Sequence, residues 1–107
     1  MAVTDSFGFD WDEGNRATCQ KHGLTIADVE HVLVTSEKVI LPVTGLAESR
    51  YIAIAATPEG RLAFVVFTTR DKGGRSALRA ISARYMHRKE VRRYGQAIAD
   101  LQKRSGS

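Results

Sequence analysis

The spacing of hydrophobic and polar positions changes twice along the chain. Phe7, Phe9 and Trp11 alternate with Gly8 and Asp10, which predicts a short strand or an extended entry. A helix is predicted over 13–22. Asp12 is a good N-cap, Gly23 can supply the left-handed C-terminal cap, and Lys21 and His22 fall in the last turn, where the dipole favours cations. Thr25 with Asp28 resembles a capping box for a second helix over 26–35, with Ile26, Val29, Val32 and Leu33 as its apolar face. His31 lies in that helix and reads as structural.

Alternation then takes over. Strands are predicted over 37–43, 50–56, 62–68 and 77–84, separated by a polar loop over 44–49 and by turns at Pro58-Glu59-Gly60 and Asp71-Lys72-Gly73-Gly74. Pro42 points to an edge or a strand end. Residues 62–68 are almost continuously apolar, which predicts a strand covered on both faces. The period returns to helical over 86–103, with Val91, Tyr94, Ile98 and Leu101 in one stripe. The order predicts a single domain over 1–107 of the α+β class: two N-terminal helices, a four-stranded antiparallel meander and a C-terminal helix.

Charge changes this picture more than composition does. The net charge is +4, but residues 1–60 carry four Lys/Arg against nine Asp/Glu, and residues 61–107 carry twelve against three. The second half therefore suits a polyanion, either RNA or an acidic protein. One cysteine, Cys19, excludes an internal disulfide, and no Cys/His grouping suggests zinc. The absence of a basic, apolar leader and of a run of about 20 apolar residues predicts a cytoplasmic protein with no membrane role.

The chemistry concentrates in residues 79–94, RAISARYMHRKEVRRY, with five arginines, a lysine, a histidine and a glutamate. On a flat strand Arg79, Ile81 and Ala83 point one way and Leu78, Ala80, Ser82 and Arg84 the other. Arg79 and Arg84 can then share a site only through a bulge or a re-aimed strand end. Glu48 and Arg50 are two apart and face the same way, as a surface ion pair or as a base beside a cation. Glu90 reads as a partner of Lys89 and Arg93 within its helix. His22 reads as a helix-terminal cation or a site residue, and His87 as a general acid or base. Arginines, histidine and carboxylate suit metal-free cleavage of RNA. That reaction needs a base for the 2′-OH, cations for the phosphate and an acid for the leaving oxygen. No cofactor is expected.

Three segments resemble the BrnT family of toxins. They are Phe9 to Asn15 with Lys21-His22-Gly23, then Glu48-Ser49-Arg50-Tyr51-Ile52, then Arg79 to Arg84 with Glu90 and Tyr94. The resemblance spans roughly residues 7–95. It implies a RelE-like fold and a type II ribonuclease toxin that inhibits translation. It further implies neutralisation by a ribbon-helix-helix antitoxin similar to BrnA in a heterotetramer, and an RNA substrate, free or on the ribosome. Candidates for catalysis by this resemblance are Lys21, His22, Glu48, Arg50, Arg79 and Arg84. Candidates for RNA binding are Arg70, His87, Arg88, Lys89 and Arg92. Residues 44–47 hold no histidine where the family's loop often has one. The alternative is accordingly a catalytically degenerate module that docks an antitoxin or RNA through its basic half.

Overall fold

The computed structural model describes residues 7–45 and 48–96 of the 107. Strand β1 (Phe7–Phe9) leads into helix α1 (Glu13–Gln20) and helix α2 (Ile26–Val34). Strands β2 (Val39–Val43), β3 (Arg50–Ala56), β4 (Leu62–Lys72) and β5 (Arg75–Tyr85) follow. Helix α3 begins at residue 88 and continues to 96 within the described residues. Ile98 and Leu101 of the expected C-terminal stripe lie outside them.

Both early helices start where local chemistry dictates. Asp12 accepts the Asn15 backbone N–H at 2.9 Å while the Asn15 side chain accepts that of Asp12 at 2.7 Å. Thr25 and Asp28 make the same reciprocal pair at 3.0 Å each way. These boxes satisfy amides that a helix start leaves without partners. Gly23, at φ 101°, turns the chain between the helices in the left-handed region that glycine alone enters freely.

The expected four-stranded antiparallel meander is incomplete. The sheet has five strands in the order β1-β5-β4-β3-β2, and β1 joins β5 in parallel. The N-terminal alternation was correctly strand-like, but nothing local specifies that its partner is the last strand, about 70 residues away. Pairings β2–β3, β3–β4 and β4–β5 are antiparallel. The β4–β5 hairpin extends further than periodicity suggested. Its turn contracts to Gly73-Gly74, both at positive φ, a two-residue turn that matches the strand twist.

Helices α1 and α2 cover one face of the sheet. Cys19, Leu24, Val29, Val32 and Leu33 pack there on Ala53, Ala55, Ala63, Val65, Phe67, Ala80 and Ala83. The small residues let the helices approach closely. Strand β4 is not covered equally on both faces, as its apolar run implied. Ala63, Val65 and Phe67 are buried, whereas Phe64 and Val66 on the other face are half-buried. Strand β2 forms the far edge, where Ile40 and Leu41 are exposed and Pro42 removes a donor from the edge.

Candidate functional site

A one-residue irregularity in β5 builds the site. Val66 pairs with Ser82, but Phe67 pairs with Ala80, so Ile81 is an extra residue in the ladder. Residues opposite each other in a sheet share a face. Arg84 lies opposite Phe64 and Arg79 opposite Thr68, and these two β4 residues are four apart on a regular strand. The bulge therefore puts Arg79 and Arg84 on the same face, the one that α1 and α2 leave uncovered. On a regular strand Ala80 would oppose Thr68, and Arg79 would point into the helix-covered core.

Along that face the sheet grades from apolar to cationic. Ile52, Val66 and Ser82 stand in one cross-strand row, and Thr68 and Arg79 stand in the next, beside Arg50. Two cavities follow this gradient. One of about 350 Å³ is lined by Glu48, Arg50, Thr68, Arg70 and Arg79, with Gly14, Asn15 and Thr18 of α1. The other, about 290 Å³, is lined by Ile52, Phe64, Val66, Ser82, Arg84, Glu90, Tyr94 and His22.

Helix α1 borders both. Strand β1 ends after pairing with Leu78, so the remainder of β5 would present an open edge. Asp10 N–H donates to the Leu78 carbonyl at 2.9 Å, and the buried Asn15 Nδ2 then donates to the carbonyls of Ala80 and Asp10, each at 2.9 Å. A side chain thus continues the sheet's hydrogen bonding at the bulge. Gly14, Thr18 and His22 repeat at four-residue steps, so α1 and the turn after it face both cavities.

The arginines are held by carboxylates to different degrees. Arg79 Nη2 donates to Asp12 at 2.7 Å and Nη1 to Asp10 at 3.4 Å. The Asn15 amide and then Arg79 hold the Asp12 carboxyl below its ordinary range, and Asp12 in turn raises Arg79. Arg84 forms two parallel bonds of 2.8 Å with Glu90 and lies 4.5 Å over the Phe64 ring. Glu90 is not the partner of Lys89 and Arg93 that helical spacing suggested. It reaches back to Arg84 and also accepts the His87 backbone N–H at 2.9 Å, capping α3. Those bonds, Arg84's first, depress its carboxyl to about 2. Of these three, Arg50 is held least: Glu48 is 3.8 Å from Nη2, and Arg50 Nε is buried with no hydrogen-bond partner. Thr68 donates to the Ser49 carbonyl at 2.7 Å and fixes the loop that carries Glu48.

Of the sequence candidates, Glu48, Arg50, Arg70 and Arg79 meet in the cationic cavity, and His22 and Arg84 in the other. Lys21 is exposed and lines neither. His87, Arg88, Lys89 and Arg92 are exposed at the start of α3, also outside both. Val91, expected on the buried stripe of α3, is 40 % exposed, while Tyr94 of that stripe meets Phe64 edge-on at 5.6 Å. Asn15, Thr68 and Ser82 were missed as site residues. For Asn15 the available signal was a small polar residue three positions after an N-cap, a local capping role that gives no hint of its bond to Ala80. Cys19 lies in the core, where burial pushes its thiol up to about 11.

Comparison with known proteins supplies the identity. No curated protein matches the chain. Residues 11–90 match the family model described as ribonuclease toxin, BrnT, of type II toxin–antitoxin system. That span runs from Trp11 through α1, the bulged sheet and the Arg84–Glu90 pair, about three quarters of the sequence. The chain therefore belongs to the BrnT family of ribonuclease toxins, whose members act within type II toxin–antitoxin pairs.

Proposed function

We propose that this chain cleaves RNA without a metal ion, at the cavity between Glu48, Arg50, Arg70 and Arg79. The observation that carries the reading is Arg50, a half-buried guanidinium whose Nε faces no acceptor, next to a carboxylate and two further arginines. A buried donor left unpaired is unfavourable by about 1–3 kcal/mol, and a shift of the side chain that opens Nε to a phosphate oxygen would satisfy it. Each neighbouring carboxylate has an arginine partner: Asp10 and Asp12 share Arg79, Glu48 lies beside Arg50, and Glu90 binds Arg84.

In this mechanism Glu48 takes the 2′-OH proton as the 2′ oxygen attacks phosphorus. Arg50 and Arg70 stabilise the charge that develops on the non-bridging oxygens. The 5′ oxygen leaves as its bond to phosphorus breaks, taking a proton from His22. The products are a 2′,3′-cyclic phosphate and a free 5′-OH. Thr18 lines the cationic cavity and His22, in the turn after α1, the adjacent one. Arg79 and Arg84, already bound to carboxylates, fix α1 and α3 to the sheet and orient this apparatus. Lys21 and the cations at the start of α3 attract the RNA backbone from outside the cavities.

Family membership brings an antitoxin partner. By resemblance we assign that antitoxin to the ribbon-helix-helix class, in a cytoplasmic heterotetramer, with a RelE-like toxin fold and inhibition of translation as the outcome of cleavage, with or without the ribosome. The test is cleavage of a fluorescent oligoribonucleotide in the presence of EDTA. Arg50→Ala is expected to lower the rate about 10²-fold or more with an unchanged melting temperature, the scale of losing a cation that contacts the transition state. An Arg50→Ala enzyme as fast as the wild type overturns the assignment. A wild type that binds RNA and leaves it intact identifies a docking module instead.

A further inference from the structure

We infer that the cavity between Phe64, Val66, Ser82, Arg84 and Tyr94 is a nucleobase pocket. It would seat the base adjacent to the phosphate held at Arg50 and Arg70, and so set sequence preference. The inference deepens the nuclease reading and rests on it for the identity of the neighbouring phosphate.

Three observations favour a base over a second phosphate. First, Ile52, Phe64 and Val66 are apolar, and Tyr94 stands against the Phe64 ring at 90°. Such walls suit a flat heteroaromatic ring, which stacks and excludes water. Second, the arginine here is already neutralised. Arg84 makes two 2.8 Å bonds to Glu90, so an anion would have to compete with a bidentate carboxylate. The cationic cavity differs in this respect, because Arg50 keeps an unpaired donor. Third, polar atoms of both kinds line the apolar cavity. The Ser82 hydroxyl and the Arg84–Glu90 pair can donate to and accept from a base edge, and such edges carry sequence information.

The spacing also suits adjoining parts of one RNA strand. Val66 lines the apolar cavity and Thr68 the cationic one, two residues or about 7 Å apart along β4. The bulge at Ile81 is what brings both onto a common face with Arg79 and Arg84.

The test measures binding of four non-cleavable 2′-O-methyl homo-oligonucleotides by fluorescence anisotropy, so it does not depend on catalysis. Wild type is expected to prefer one base at least tenfold. Ser82→Leu, which fills the pocket, should bring the four affinities within threefold of one another. Arg50→Ala should weaken all four alike. Equal affinities in the wild type, or a preference that survives Ser82→Leu, overturn the pocket. Those results leave the cleavage assay at Arg50 to stand or fall by itself. Should Ser82→Leu fail to fold, ring proton shifts of Phe64 and Tyr94 in the wild type decide the matter during titration with the four nucleosides. Shifts with one nucleoside support the pocket, and none with any nucleoside overturns it.

Discussion

At the residue scale, Asn15 shows how one short polar side chain can join a local and a distant requirement. Its backbone amide and side-chain oxygen complete the Asp12 capping box, and its Nδ2 closes the edge of β5 at Ala80. Alanine there would remove a buried donor from two carbonyls as well as half of the box. Asn15→Ala is expected to destabilise the domain by about 2–4 kcal/mol, the scale of several lost buried hydrogen bonds. Urea denaturation monitored by circular dichroism checks this, and a change below about 0.5 kcal/mol would show that water or a rotated neighbour takes over those bonds. Arg79 belongs to the same arrangement. The residue types in this stretch suggested an exposed catalytic arginine. Its two aspartate partners tie it to the start of α1 and leave its side chain 19 % exposed.

At the element scale, α3 is attached to the sheet by Glu90 and Tyr94 in its first turns. Glu90 both caps the helix and grips Arg84, so its ionisation is linked to docking. Its carboxyl titrates near 2 when docked, against an ordinary 4.5. A depressed folded value means that the stabilisation is fully present above about 4.5 and is lost as pH falls toward about 2. Hydrogen exchange at the amides of α3 is accordingly expected to accelerate, relative to its intrinsic rate, between pH 4.5 and 2. Glu90→Gln should remove that dependence while leaving the sheet unaffected. Equal pH profiles for the two proteins would mean that other contacts decide docking. The basic residues Arg88, Lys89 and Arg92 oppose the dipole of their own helix terminus, and Glu90 compensates from the first turn, where its carboxylate accepts the His87 amide.

At the scale of the whole molecule, charge is segregated along the chain and partly recombined in the fold. Asp10 and Asp12 from the acidic half meet Arg79 from the basic half, and Glu48 meets Arg50 inside the cationic cavity. Arg70 lines that cavity too, and Arg88, Lys89 and Arg92 are exposed beyond it. If three of them contact phosphates, the logarithm of RNA affinity should fall with slope near −2 against the logarithm of salt. Binding would then be roughly 20-fold weaker at 200 mM than at 50 mM. Titrations at several salt concentrations test this. A flat dependence would place RNA away from the basic half. At the opposite edge, β2 exposes Ile40 and Leu41 with Pro42 beside them, a strand that can pack but pairs poorly with another chain.

Much of this protein was determined locally and could be read along the chain. The Asp12 cap, the Thr25 capping box, the left-handed Gly23, the turn at Gly73-Gly74 and the alternation of β3 each depend on residues within a few positions of one another. The three spaced segments that mark the family are likewise linear. Tertiary structure alone decided three things. It paired β1 with β5, because a parallel partner shares no turn with it. It gave Glu90 to Arg84 ahead of its helical neighbours, because β5 brings the Arg84 guanidinium within 2.8 Å of both carboxylate oxygens. And it inserted Ile81 as a bulge. Strand periodicity puts Arg79 and Arg84 on opposite faces, and only the closure of β5 against β4, with Ala80 needed in the core, turns them to the same side.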